Sequence, residues 1–359
     1  MNILHSLYVA NLRVVIWAKN IRRKRKDKAD ILKLLKKNKK KLTVEQKKEI
    51  KKFYKPYGKI DPIYHQYYYE NNGVFDIKYL PDDIYYTEIQ AYFNNIPAAH
   101  IVDHKGYYES LFPDIRHPKL IAKRLNGYWL IKNQCVDVDE VVRQMCFEKI
   151  VFVKKATNSC GGAGVFVLEG ESLSYKGIKE LFTSLDGDIV IQKCLKQCAE
   201  LRNINEFSIN TMRFMSIIDR TGEVIILSRS LRMGTNNSRV DNAHSGGISC
   251  GMDESGQLKD FALSLKGDKY YKHPNSGIAF RDVVLPRIKD IDEVIKICAL
   301  RVPHFRIVAW DIILEEDYIP TLIEANLYDA GMDVPQLTNG PLFGDRTKIL
   351  LEEVYSHKG

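Results

Sequence analysis

Hydrophobic and polar positions change their spacing along the chain, and each change predicts an element. Residues 3–17 (ILHSLYVANLRVVIW) are mostly apolar, are broken by His5, Asn11 and Arg13, and run straight into Arg22, Arg23, Lys24, Arg25 and Lys26. The stretch is too short and too polar to span a bilayer, and it has no small-residue cleavage site of the signal-peptide kind. It predicts a helix packed on the body with a solvated basic face, or one lying along an anionic membrane surface. Thr43-Val-Glu-Gln46 is a capping-box pattern that opens a helix to about Tyr54, before Pro56 and Gly58. Residues 57–100 are rich in Tyr and Asn and give a mixed signal, and Tyr64, Tyr67, Tyr68 and Tyr69 read as packing rather than as a binding platform.

From about residue 100 the pattern becomes that of strands and short helices. Ile150–Val153, Asp188–Gln192, Thr211–Ile218, Glu223–Leu227 and Val308–Leu314 are rich in β-branched and aromatic residues. Turn signals part them at Asp186-Gly187, Arg220–Gly222, Glu254–Gly256 and Glu315–Asp317, and helices are predicted near Val138–Glu148, Tyr175–Ser184 and Asp290–Leu300. Strands mixed with helices predict an α+β architecture without repeats.

Three groups of residues carry candidate chemistry. In the first, a strand ends in Lys154-Lys155 and a polar loop with Gly161, Gly162 and Gly164 follows. Glycines let backbone N–H groups turn towards an anion, and a lysine adds a point charge for phosphate. No Gly-Lys-Ser/Thr closes the loop, so it is not a Walker loop, and a glycine-rich hairpin turn is an equal reading. In the second, Trp310–Leu314 and Pro320–Asn326 read as a hairpin, with Glu324 and Asn326 on one face and Asp311 across from them. Two carboxylates and an amide oxygen suit a hard cation such as Mg²⁺, and the apolar flanks argue against a merely solvated strand face. In the third, Arg213, Arg229 and Arg232 lie on strands between these two regions, followed by a polar loop holding Asn242, Gly246 and Gly247. Arginine suits a two-pronged grip on phosphate or carboxylate.

Charge changes this picture only at the start of the chain. The formal net charge is +9, but residues 1–55 hold 19 Lys/Arg and 4 Asp/Glu, a net of +15, which leaves −6 for the rest. A negative body argues against a general nucleic-acid surface there. Seven scattered cysteines imply neither a disulfide framework nor a zinc site, and read as free thiols of a cytoplasmic protein.

Taken in order, the lysine-tipped strand with its glycine loop, Gln192, Asn210-Thr-Met-Arg213, Asp241-Asn242 with Gly246-Gly247, Trp310-Asp311 and Glu324-Ala-Asn326 resemble the ATP-grasp superfamily. More narrowly, they resemble its group associated with sugar transfer and polysaccharide gene clusters, related to α-L-glutamate ligases. The resemblance covers about residues 100–345 and implies two α+β subdomains clasping ATP. It places a basic helical extension at 1–60, a lead-in at 61–149, a flap subdomain at 150–192 and a Mg²⁺-bearing subdomain at 193–359.

By that resemblance Lys105 and Lys154 meet ATP phosphates, with Lys155 left open as the alternative because Lys-Lys stands where the family has Lys-Pro. Ser159, Gly161, Gly162 and Gly164 belong to the flap, and Gln192 and Leu195 to the hinge at adenine. Arg213, with Lys154, serves catalysis at the γ-phosphate. Asp311, Glu324 and Asn326 hold Mg²⁺, and Arg232, Asn242, Gly246 and Gly247 face the acceptor. His273 and Gln336 match the pattern without a defined role. The family's usual α/β domain ahead of the grasp fold is replaced here by basic helices. The implied activity is a Mg²⁺- and ATP-dependent carboxylate–amine ligase acting through an acyl phosphate on a sugar acid or amino-acid-like group in surface polysaccharide synthesis. Its partners are a carboxylate, an amine and an anionic membrane surface met by residues 1–55, without nucleic acid, at the inner membrane face or free in the cytoplasm. Two alternatives stand beside it: a kinase of a small molecule or sugar, and a non-catalytic nucleotide-binding, membrane-associated protein.

Overall fold

The computed structural model describes residues 3–35, 40–157 and 164–356. These residues divide into two compact units, one drawn from Met1–Asn95, Leu265–Asp268 and Gly331–Gly359, the other from Ile96–Ser264 and Lys269–Ala330.

The first unit is helical. Its longest element is the helix Ile3–Leu34, and Val44–Tyr54 follows behind a realised capping box, in which Gln46 N donates to Thr43 Oγ1 at 3.2 Å and Thr43 N to Gln46 Oε1 at 2.9 Å. Tyr54, Tyr64, Tyr67, Tyr68 and Tyr79 are fully buried. Two of the hydroxyls reach polar partners, Tyr54 the Tyr79 carbonyl at 2.8 Å and Tyr68 Asp82 at 3.0 Å. The helices Asp333–Asn339 and Thr347–Ser356 complete this unit. Gln336 sits in it as a structural clamp, accepting from Leu80 N at 2.9 Å and donating to Leu80 O at 3.0 Å. No helix among the described residues is long and apolar enough to cross a membrane.

The second unit contains two antiparallel sheets. The smaller holds β1 (Leu120–Leu125), β2 (Tyr128–Ile131), β3 (Gln134–Cys135), β4 (Ile150–Lys155), β5 (Val165–Glu169) and β6 (Ile189–Lys193), in the order β3-β2-β1-β6-β4-β5. The larger holds β7 (Met212–Ile218), β8 (Val224–Met233), β9 (Ile248–Met252), β10 (Leu258–Leu263), β11 (Lys269–Tyr270), β12 (Ile307–Leu314) and β13 (Pro320–Asn326), in the order β11-β10-β9-β8-β7-β12-β13. Each sheet has an apolar core on one face. In the smaller, Val151, Val153, Ile189 and Ile191 pack against the helices Val138–Cys146 and Tyr175–Ser184. In the larger, Met212, Phe214, Trp310 and Ile312 meet Ile291, Ile295 and Cys298 of the helix Ile288–Arg301. Strand side chains alternate, so the residues between these core positions point to the other face of each sheet. Two turns repeat one device: Asp219 and Asp253 each accept from the backbone N–H groups two and four residues on, closing the hairpins β7–β8 and β9–β10.

Candidate active site

The alternation that buries Trp310 and Ile312 turns Asp311 to the opposite face of β12. Its neighbours in register are Arg213 on β7 and Glu324 on β13, so base, acid and acid form one row across three strands. On β13 a bulge makes this row possible. Asp311 pairs with Glu324 but Ile312 pairs with Leu322, which leaves Ile323 as the extra residue. Leu322 and Ala325 therefore both reach the core, while Ile323, Glu324 and Asn326 line a cleft of about 280 Å³. A regular strand would place Leu322 and Glu324 on the same face; the bulge re-aims one of them.

Four of the bases that line the cleft, Lys105, Lys154, Arg213 and Arg232, come from four different segments. Arg213 binds Asp311 through both guanidinium nitrogens that face it, Nη2 to Oδ2 at 2.8 Å. Arg232 on β8 bridges Asp311 and Asp241, each at 3.3 Å. Lys105 is buried and bonds Glu324 at 2.8 Å. Its backbone N–H donates to the Ala156 carbonyl just past β4, which fixes the Lys105 loop beside Lys154. Lys154 itself leaves β4 on the cleft face with Phe152 and lies 5.6 Å from that ring's centre.

These surroundings set the charges. Burial pushes the Lys154 ammonium down to about 8, and Lys105 adds to the shift by like-charge repulsion, against a smaller pull from Glu324. Burial alone would raise the Asp311 carboxyl, but Arg213 and Arg232 outweigh it and hold it below the usual carboxylate range. Among the described residues no group of three or more His, Cys, Asp or Glu forms a metal-binding cluster. Among the oxygen donors that line the cleft, Asp311, Glu324 and the Asn326 amide are of the type Mg²⁺ takes when phosphate oxygens complete its shell.

Gln192 on β6 pairs across to Phe152 and lines the same cleft, near Leu195. Its Oε1 is buried and has no hydrogen-bond partner among the described residues. Such an acceptor costs free energy until a donor reaches it. Pro118, Val165, Ile209 and Ile323 supply apolar wall.

Of the residues singled out from the sequence, Lys105, Lys154, Gln192, Leu195, Arg213, Arg232, Asn242, Asp311, Glu324 and Asn326 line this cleft together. Lys155, Gly164, Gly246 and Gly247 are not among its lining. Lys155 follows Lys154 on β4 and is exposed, and its stem packs where a Cβ on Gly164 would sit, 2.9 Å away. Gly247 closes a loop: its N–H donates to the Asn242 carbonyl at 3.0 Å, and a Cβ there would meet the Asp241 carbonyl at 2.4 Å. Ser159, Gly161 and Gly162 lie outside the described residues. His273 is buried, with Nε2 2.9 Å from the Gly234 carbonyl, a structural partner. Asp241 was passed over although it stands in the Asp-Asn motif; besides pairing with Arg232, it accepts from Thr211 N at 3.1 Å. Arg239, at the cleft and paired to Glu169 of β5 at 2.7 Å, carried no sequence signal.

The chain resembles the D-alanine-D-alanine ligase of Coxiella burnetii, at 10% identity and a TM-score of 0.43 over 74% of this chain and 62% of that one. It also resembles a biotin carboxylase–β-γ-ATP complex from Campylobacter jejuni, at 12% identity and a TM-score of 0.44 over 73% of this chain and 48% of that one. A third likeness is to the ATP-grasp ligase PsnB complexed with a minimal precursor, Mg and ADP, at 13% identity and a TM-score of 0.42 over 74% of this chain and 61% of that one. The chain thus spans less than two thirds of the length of each. No curated protein sequence matches it. A family profile described as sugar-transfer associated ATP-grasp matches residues 85–350, which is more than half of the 359 residues, and the protein belongs to that family of α+β, ATP-grasp-fold proteins.

Proposed function

We propose that the protein is a Mg²⁺- and ATP-dependent ligase that joins a carboxylate to an amine through an acyl phosphate, and that it serves surface polysaccharide assembly. The observation that carries this reading is the convergence of Lys105, Lys154, Arg213 and Arg232 on the face that bears Asp311, Glu324 and Asn326. Every acid in that row is already neutralised by a base, so a triphosphate with its metal exchanges partners rather than adding uncompensated charge. In this reading the incoming phosphates would draw Lys105, Arg213 and Arg232 off the two acids, and Asp311, Glu324 and Asn326 would hold Mg²⁺. The chemistry Mg²⁺ supplies when bound is neutralisation of phosphate charge during phosphoryl transfer. Phe152, Gln192 and Leu195, which line the cleft together, would receive the base of the nucleotide, with Gln192 Oε1 available to an exocyclic amine.

The chain's own side chains then have defined tasks. Lys154 and Arg213 stabilise the charge that spreads over the transferring oxygens. A substrate carboxylate, already ionised at neutral pH, attacks the γ-phosphorus and ADP leaves. Asn242 holds the acceptor end, where the amine attacks the acyl carbon; phosphate and a proton depart and an amide remains. The family's description as sugar-transfer associated points the carboxylate towards a sugar acid or an amino-acid-like group.

Incubation with ATP, Mg²⁺ and a panel of uronic acids and amino acids, read by mass spectrometry and ADP release, tests this. The expected result is a condensed product and ADP that require both carboxylate and amine. A phosphorylated product that forms without any amine overturns it in favour of a kinase. Absence of Mg-ATP binding by calorimetry removes catalysis altogether.

A further inference from the structure

The helix Ile3–Leu34 belongs to the helical unit and takes no part in the cleft. From Lys19 onwards its side chains divide into two faces. On one, Ile31 is buried, Lys24 pairs with Glu88 at 2.6 Å, and Arg23 binds Asp27 and lies 4.3 Å from the centre of the Tyr86 ring. These contacts seat the helix on its own unit. On the other, Lys19, Arg22, Arg25, Lys26 and Lys33 are exposed. Positions 19, 22, 26 and 33 are spaced by three, four and seven residues, so they form one stripe along the helix, with Arg25 at its border. Lys33 pairs with Asp30 at 2.8 Å, whereas no ion pair holds Lys19, Arg22, Arg25 or Lys26 among the described residues.

A helix can carry such a stripe as a solvated face, but two features point to a partner. The charge is concentrated: residues 1–55 carry a net of +15 against −6 for the remainder, so the excess is not needed to balance the rest of the chain. In sequence the stripe also follows directly on the mostly apolar run 3–17, within the same continuous helix. Basic residues beside an apolar segment suit an anionic bilayer, where bases meet headgroups and apolar residues meet the acyl boundary. A nucleic-acid surface would call for bases interleaved with aromatic stacking groups or for base-reading side chains, and the stretch 18–35 contains no aromatic residue.

We propose that the exposed stripe Lys19-Arg22-Arg25-Lys26 docks this protein on an anionic lipid surface, which would bring the ligase to membrane-borne saccharide. The docking stands apart from the catalytic reading, since it uses no cleft residue.

Flotation of the full chain with vesicles tests it, using 30% phosphatidylglycerol in phosphatidylcholine against phosphatidylcholine alone. The expected result is binding to the first only, release by 0.5 M NaCl, and a loss of at least about 100-fold in partitioning for the R22E/R25E/K26E variant. Equal binding to neutral vesicles, absence of binding to anionic ones, or tighter binding to a 20-nucleotide RNA at the same salt overturns it. The salt dependence of the unaltered protein keeps the test valid if the triple variant folds poorly. D311N should float as the unaltered protein does, so failure of the catalytic proposal leaves this one standing and the reverse.

Discussion

Arg213 and Asp311 face each other in register on neighbouring strands and hold each other through two hydrogen bonds, Nη2 to Oδ2 at 2.8 Å being one. Arg232 adds a third contact to the same carboxylate, so one acid serves two guanidinium groups. Asp311→Asn leaves Arg213 without a counter-charge in a buried setting and leaves Arg232 with Asp241 alone. The expected cost is about 3–5 kcal/mol in urea unfolding, with ADP formation down by at least about 100-fold. Thermal shifts separate the metal role from the structural one: ATP alone should still stabilise D311N, because phosphates satisfy Arg213 and Arg232, whereas Mg²⁺ should add nothing. A Mg²⁺ increment equal to that of the unaltered protein would remove Asp311 from the metal site.

Lys154 gives nucleotide binding a pH dependence. Burial first, and Lys105 second, bring its folded value down to about 8 from 10.5. A depressed lysine is held against its charged form. It weakens the nucleotide-free fold below about pH 8, and that penalty fades as pH rises from 8 towards 10.5. Phosphate reverses the preference, so binding takes up a proton in this window. Between pH 7 and pH 9 the dissociation constant of ATP should rise by about tenfold. Lys154→Met should bind more weakly at pH 7 and show a flat profile, read by calorimetry in buffers of different ionisation enthalpy. A tenfold change that survives in K154M would place the titrating group elsewhere.

Gln192 is a site where stability and binding pull apart. Its buried Oε1 lacks a partner among the described residues, and burying an unsatisfied acceptor costs about 1–3 kcal/mol. Gln192→Met keeps the length of the side chain and removes that acceptor. The variant should melt higher without nucleotide and bind ATP about tenfold more weakly, with discrimination against GTP reduced. Higher affinity for ATP in Q192M would refute the assignment of this oxygen to the base.

Much of this site was legible because strands announce which face a side chain takes. Trp310-Asp311-Ile312 alternates apolar, acidic, apolar, which predicts an acid on the face away from the core, and Glu324 and Asn326 do share the cleft with it. The bulge at Ile323 was not legible, since it arises from pairing with β12 rather than from any local residue preference. Lys154 and Lys155 look alike in sequence; only the pleat of β4 separates the one in the cleft from the one in solvent. Lys105 came from family resemblance, because an irregular loop has no period to read. Residues 331–356 gave no sign that they fold with the N-terminal helices, since that grouping rests on tertiary contacts such as Gln336 with Leu80. The tyrosine cluster at 64–69, read as packing, includes three fully buried rings, Tyr64, Tyr67 and Tyr68.

The helical unit holds a second titrating group whose sign is opposite in consequence. Burial raises the Asp83 carboxyl to about 6, helped by Glu88 and Asp27 and opposed by Lys24, and its Oδ1 has no hydrogen-bond partner among the described residues. A folded value above the unfolded one means that the fold favours the protonated acid. The charged form therefore weakens the fold above about pH 6, and the penalty vanishes as pH falls from 6 to 3.8. Asp83→Asn mimics the protonated state without its titration. It should raise stability by up to about 3 kcal/mol at pH 8 and change it little at pH 4, because there the native acid is already neutral. Melts of both proteins at the two pH values decide the matter. Equal gains at pH 8 and pH 4 would mean that packing of the amide, and not relief of a buried charge, is responsible.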